Sequence, residues 1–191
     1  MTDLLDVALG LQSFCEERGW EFCFIGGLAV QALAEARLTK DADMTLLTGW
    51  GREESYIDAL LERYQGRRPD AREFALANRV LLLQAGNGTG IDIALGALPF
   101  EQSAVQRSGY EVFAAGGASL RICTPEDLIV MKAFASREQD WRDVRMTIVR
   151  QGPETLDWDY IRGHLRPLAA AKEAPEIVDQ LEALRRRYTD R

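Results

Sequence analysis

Apolar positions along the chain follow two regimes. Up to Cys123, short apolar runs of strand length are interspersed with helical patterns; from Thr124 onward the pattern is helical. Leu4, Leu5, Ala8, Leu11, Phe14 and Cys15 recur at helical spacing and predict an amphipathic first helix ending near Gly19. Residues 22–25 predict a short buried strand, broken by Gly26-Gly27, with a helix over 28–36 behind it. Residues 41–47 predict a second strand, and 53–64 a helix with Tyr56, Leu60 and Leu61 on one side. Residues 79–84 and 90–95 predict two strands joined through Gly86-Asn87-Gly88, since Asn-Gly favours the tight turn of a hairpin. Residues 111–114 and 120–123 predict edge strands around Gly116-Gly117.

Thr124-Pro125-Glu126-Asp127 predicts a helix start: threonine caps, proline suits the first helical position, and acids favour the positive end of the dipole. The helical pattern then breaks near Arg137, Gly152-Pro153 and Ala174-Pro175. Strands and helices do not alternate regularly, so the expectation is an α+β fold. It has a short mixed β-sheet core over 1–123 and a helical C-terminal portion over 124–191 packed on it.

Composition narrows the function classes. No run approaches the ~18 apolar residues of a membrane span, and the N-terminus lacks a basic segment ahead of an apolar one, so a cytoplasmic location is expected. Cys15, Cys23 and Cys123 are far apart and His164 is the sole histidine, which leaves no zinc site of the Cys/His kind and predicts buried, reduced thiols. A net charge of −7 argues against a general binder of long nucleic acid, while leaving room for a local basic patch. Trp141 and Trp158 read as core, His164 as an ordinary helix residue, and Arg185-Arg186-Arg187 as a solvated helix end.

The candidate chemistry starts at Asp41-Ala42-Asp43. Side chains at i and i+2 of a strand share a face. Two carboxylates there repel unless a cation neutralises them, and an oxygen-rich site suits Mg²⁺ or Mn²⁺. On its own the dyad also reads as a solvated strand end. Asp92 lies amid Gly90-Ile91-Asp92-Ile93; if its strand lies beside that of Asp41, three carboxylates share one site able to hold two ions ~3.5–4 Å apart. Gly26-Gly27, between a strand and a helix, lets a phosphate approach the backbone, although a tight turn would also select glycine. Lys132 is the sole charge in an apolar helical run and needs a partner or a route to water.

Together these runs resemble the signature of the nucleotidyltransferases of the DNA polymerase β superfamily: an apolar strand (Phe24-Ile25), Gly26-Gly27, a short helix, then Asp41-x-Asp43, with a third acid, Asp92, on a later strand. The Arg-x-Thr-x-Asp-x-Asp form of residues 37–43 is most similar to the abortive-infection branch, which includes toxins of type IV toxin–antitoxin systems. The run from Thr124 to Lys132 and the segment Asp140-Trp141-Arg142-Asp143-Val144 fit the same branch. The resemblance implies a transferase that moves NMP from an NTP to an acceptor with Mg²⁺ or Mn²⁺. Asp41, Asp43 and Asp92 would be the catalytic and metal-binding acids, and Gly26, Gly27 and Lys132 would bind the nucleotide. The implied acceptor is RNA or protein, with a cognate antitoxin as partner. The alternatives are a small-molecule transferase like the aminoglycoside nucleotidyltransferases, or a non-catalytic nucleotide-binding module. Two departures stand out: Leu28 follows Gly27, leaving no adjacent hydroxyl for a phosphate, and Ala42 separates the acids where a larger apolar residue is usual.

Overall fold

The structure is a computed structural model describing residues 2–34, 38–113 and 117–189, with residues 2 and 3 described by backbone alone. The chain divides into two compact units. One comprises Met1–Leu28 and Leu38–Cys123; the other comprises Ala29–Arg37 and Thr124–Arg191.

The first unit is built on a mixed seven-stranded sheet in the order β3-β4-β5-β2-β1-β7-β6. Its strands are β1 Phe22–Phe24, β2 Asp41–Leu47, β3 Gln65–Gly66, β4 Val80–Gln84, β5 Gly90–Gly96, β6 Gly109–Phe113 and β7 Ala118–Ile122. The pairs β2/β5 and β1/β7 are parallel and the other pairs antiparallel. Register puts Phe22, Phe24, Ala42, Met44, Leu46, Leu81, Leu83, Ile91, Ile93, Leu95, Leu120 and Ile122 on one face, and each is at most 1% exposed. Burying this side of the sheet is the main apolar gain of the unit. The alternate positions of β2 and β5, which carry the acids, therefore face the other way.

Four helices belong to this unit: α1 Thr2–Glu16, α3 Glu53–Arg63, α4 Ala71–Asn78 and α5 Pro99–Arg107. Helix α1 packs along β7 and β2, and α5 against β2 and β1. The β4–β5 hairpin turns as its Asn-Gly pair predicts: Gly88 takes φ +87° and its N–H donates to the Ala85 carbonyl at 2.9 Å. The three cysteines are buried and free, and burial pushes the Cys15 thiol up to about 12.

The predicted elements differ from the structure in a few places. Helix α2, Gly26–Leu33, begins at the glycines themselves, and the predicted end at Ala36 lies outside the described residues, as do Ala114 and Gly116 of the β6–β7 connection. Strand β7 is not an edge strand, because β1 pairs with it through Phe24 and Ile122; of these two strands β6 alone lies at an edge, the opposite edge being β3. Strand β3 and helices α4 and α5 had no counterpart in the apolar pattern. Helix α4 buries only Ala71 and Ala75, too little apolar surface to register as a stripe.

The second unit contains α6 Pro125–Ala135, α7 Glu138–Gln151, α8 Trp158–Ala171 and α9 Glu176–Thr189. Thr124 caps α6 by accepting from the Asp127 N–H at 3.3 Å. The Asp127 carboxylate, fully buried, accepts from the Thr124 and Tyr160 hydroxyls at 2.7 and 2.6 Å. Leu128, Ile129, Val130, Val144, Ile148, Ile161, Leu165 and Leu181 form its apolar centre.

Candidate active site

Strand β2 lies parallel to β5 with Asp41 opposite Gly90 and Asp43 opposite Asp92. Opposed residues on neighbouring strands project to the same side. Asp41, Asp43 and Asp92 therefore share one face of the sheet, on adjacent strands, and all three are partly exposed. The buried face behind them holds this register, since a slip by one residue would turn Ala42 and Met44 outward and the aspartates inward.

Glycine is required at two places around the acids. Gly26 has φ +58°, and a Cβ there would overlap the Asp43 carboxylate. The next residue, Gly27, donates its N–H to Asp43 Oδ2 at 3.2 Å, and the Ile25 N–H donates to the Asp43 carbonyl at 2.9 Å. The turn that opens α2 is thus stitched to the second aspartate of the dyad. On the other side Gly90 makes room for Asp41, whose Oδ1 would meet a Cβ placed there.

Two further residues lie at the site: Thr39, which the Arg-x-Thr-x-Asp-x-Asp run contains without assigning it a role, and Arg67. Thr39 presses its hydroxyl against Gly27, so that a hydroxyl stands at the turn although Leu28 cannot supply one. Arg67 forms an ion pair with Asp92 through Nη2, with Nη1 also beside Gly90. The Arg67 N–H donates to the Leu82 carbonyl at 3.0 Å, which holds this residue next to the β4–β5 hairpin. An arginine in a loop-like stretch announces nothing by itself; only the pairing of β3 with β4 brings it to the acids.

The electrostatics match the layout. Burial pushes the Asp92 carboxyl above its ordinary value; Arg67 opposes this and the charge of Asp41 adds to it. Among the described residues, no group of three Asp, Glu, His or Cys side chains is gathered tightly enough to hold a metal. The acids share a face, while Asp92 is engaged by the Arg67 guanidinium, a counter-charge that relieves the repulsion among carboxylates.

Lys132 belongs to the helical unit and is buried. Its ammonium pairs with Asp140 at 3.2 Å and Asp143 at 2.9 Å, both carried by α7. The partner that a lysine in an apolar run requires is thus a pair of carboxylates within its own unit. Asp140 also accepts from Arg137 Nε at 2.6 Å. Burial would raise the Asp140 carboxyl, but Arg137 and Lys132 outweigh it and hold the group below its ordinary value. Trp158 is buried, with Nε1 donating to the Pro153 carbonyl at 2.7 Å; Trp141 is only half-buried.

A seven-stranded mixed sheet followed by a helical C-terminal portion matches the nucleotidyltransferase fold. No family model and no curated protein matches the chain. Solved structures do. The solution structure of the antibiotic-resistance factor ANT(2'')-Ia is similar with a TM-score of 0.60 at 18% identity, over 90% of this chain and 96% of that one. The crystal structure of ANT(2'')-Ia with adenylyl-2''-tobramycin gives a TM-score of 0.57 at 16% identity, over 87% and 98%. An antigenic nucleotidyltransferase-like protein from Paracoccidioides brasiliensis gives 0.51 at 16% identity, over 94% and 92%. At such identities the likeness is one of fold.

Proposed function

We propose that the protein is a nucleotidyltransferase that moves NMP from an NTP to a cationic small-molecule acceptor, using Asp41, Asp43 and Asp92. The observation that carries this reading is the register of β2 on β5, which sets the three carboxylates side by side on the open face, against the Gly26-Gly27 turn. Hard oxygen donors on one face suit a divalent cation such as Mg²⁺ or Mn²⁺. Asp41 and Asp43 would hold it, joined by Asp92 once Arg67 releases that carboxylate. A cation bound there would neutralise the charge on the transferring phosphoryl group and on the leaving pyrophosphate.

The protein's own groups account for the rest. The acceptor hydroxyl oxygen attacks the α-phosphorus, forming the new P–O bond as the bond to the β-phosphate breaks and pyrophosphate departs. The hydroxyl proton passes to Asp92, the acid on the neighbouring strand β5. Gly26 and Gly27 stand at the positive end of α2, where a phosphate is favoured, beside the Asp43 carboxylate that the Gly27 N–H holds. Lys132 is left out of the phosphate site, since Asp140 and Asp143 already neutralise its charge.

Two facts support a cationic acceptor. The chain is acidic, with a net charge of −7, which favours cationic substrates. The likeness to ANT(2'')-Ia, crystallised with an adenylylated aminoglycoside, runs over nearly the whole of both chains. A second reading, a toxin that modifies RNA or protein and has a cognate antitoxin, is favoured by the Arg-x-Thr-x-Asp-x-Asp run of residues 37–43. One experiment separates them. Protein, Mg²⁺ and each NTP are incubated with a panel of aminoglycosides, with total RNA and with cell protein, and products are weighed by mass spectrometry. An NMP adduct on an aminoglycoside, lost in Asp43→Asn, is expected. An adduct confined to RNA or protein would establish the second reading, and no adduct on any acceptor would overturn both.

A further inference from the structure

A cleft of ≈ 220 Å³ lies in the helical unit between α7 and α9, lined by Trp141, Arg145, Gln180, Ala183, Leu184 and Arg187. Its walls follow from helical spacing. Trp141 and Arg145 are i and i+4 on α7; Gln180, Ala183, Leu184 and Arg187 are i, i+3, i+4 and i+7 on α9. Two helices usually close such a seam with large apolar side chains. Here α9 presents Ala183 at the middle of its stripe, and the space stays open.

The chemistry of the lining is specific in three respects. First, Arg145 and Arg187 both border the cleft, and neither has a hydrogen bond or ion pair among the described residues. Three arginines of the same unit are paired, Arg137 with Asp140, Arg162 with Asp159 and Glu182, and Arg185 with Glu182, whereas Arg142, Arg150, Arg166 and Arg186 have no ion pair among the described residues and do not line the cleft. In a chain with an excess of acids, two unpaired guanidiniums at one cleft are a ready anion site. Second, Trp141 has already donated its indole N–H to Ser136 Oγ at 3.0 Å, which holds the ring and leaves its π surface, rather than its donor, for a ligand. Third, the cleft lies below the ~300 Å³ at the lower end for drug-sized ligands, so it suits a ligand no larger than a single nucleotide.

We propose that this cleft is a binding site for a nucleoside monophosphate unit, its base on Trp141 and its phosphate between Arg145 and Arg187, with the Gln180 amide available to the base edge. Aromatic stacking combined with cationic phosphate contacts is how proteins hold single-stranded nucleic acid with little sequence preference. The unit is either a free nucleotide or one residue of a single-stranded RNA. The site lies within the helical unit and does not depend on the transfer reaction proposed above.

The test uses the full chain carrying Asp43→Asn, so that nucleotide bound at the acids does not confuse the signal. AMP, UMP, a labelled single-stranded RNA tetranucleotide and inorganic phosphate are each titrated by calorimetry or fluorescence anisotropy. The double variant Arg145→Gln/Arg187→Gln, altered only at exposed side chains, should bind at least about tenfold more weakly at an unchanged melting temperature. Trp141→Leu should weaken the nucleotides and leave inorganic phosphate unchanged. Comparable affinity for mononucleotide and tetranucleotide assigns a free nucleotide; a tetranucleotide preference of tenfold or more assigns a strand. The proposal is overturned if none of the probes binds or if the arginine variant binds as the parent does. It is equally overturned if inorganic phosphate binds as tightly as AMP, or if poly-glutamate competes as well as the tetranucleotide.

Discussion

Individual residues in this protein are governed by where their charges find partners. Lys132 illustrates the point. Its isolation in Leu128–Ala135 shows that it needs a counter-charge, but not that Asp140 and Asp143 supply it from the following helix. Replacing it by methionine takes the ammonium away from two buried carboxylates, of which Asp140 keeps Arg137, and removing one side of a buried pair costs about 3–5 kcal/mol. Lys132→Met is therefore expected to be destabilised by about 3 kcal/mol at neutral pH, measured by urea unfolding; a neutral effect would mean that the pair contributes nothing. Asp140 adds a pH signature. Its carboxyl titrates below the ordinary value of 3.8, so the stability it contributes is complete above that pH and is lost as the pH falls through the folded value. The deficit of Asp140→Asn relative to the parent should accordingly be constant from pH 5 to 8 and shrink below about pH 4. A deficit that grows on acidification would contradict the assignment.

At the scale of elements, the turn between β1 and α2 carries the tightest demand. Gly26 adopts a positive φ and has no room for a side chain against Asp43, while the N–H of Gly27 holds the same carboxylate. Left-handed backbone costs a non-glycine residue about 1–2 kcal/mol before any overlap is counted. Gly26→Ala should lose about 2 kcal/mol or more and displace Asp43, abolishing any nucleotidyl transfer. Gly86→Ala is the control, since Gly86 has open space around its Cα and no positive φ. Equal stability of the two variants would show that the turn is not under this constraint. Helix α5 is marked locally by its capping residues rather than by an apolar stripe. Pro99 stands at its first turn, and Glu101 accepts from the N–H groups of Ala97 and Leu98, both at 2.8 Å.

For the whole molecule, the acid face is the feature that a ligand would alter most. Carboxylates crowded on one face repel, and ligands that bind only the folded chain stabilise it by mass action. Mg²⁺ together with a non-hydrolysable NTP, at 100 times their apparent Kd, should stabilise the fold by about 2.7 kcal/mol. That corresponds to a rise of roughly 5–10 °C in melting temperature for a chain of this size. Asp43→Asn should lose most of the rise while remaining folded. The same rise in parent and variant would place the bound ligand away from Asp43. Among the described residues, no helix is long and apolar enough to cross a membrane.

The division between what sequence determined and what folding decided follows the range of the forces involved. Short-range patterns were legible because their causes lie within a few residues: apolar alternation in β2, the Asn-Gly turn before β5, the Thr124-Pro125 start of α6, and Gly26 where φ turns positive. The Asp-x-Asp spacing by itself put Asp41 and Asp43 on one side of a strand, whatever that strand pairs with. Long-range pairing was not legible, because burying one apolar face of the sheet satisfies many strand orders equally at the level of pattern. Only the fold decided that β5 lies beside β2 in the register that brings Asp92 level with Asp43, and that β7 is interior rather than marginal. It also brought Arg67 to Asp92 and Thr39 to Gly27, and it gave Lys132 its carboxylates. Charged and hydroxyl side chains select partners by distance in space, and no local periodicity encodes that distance.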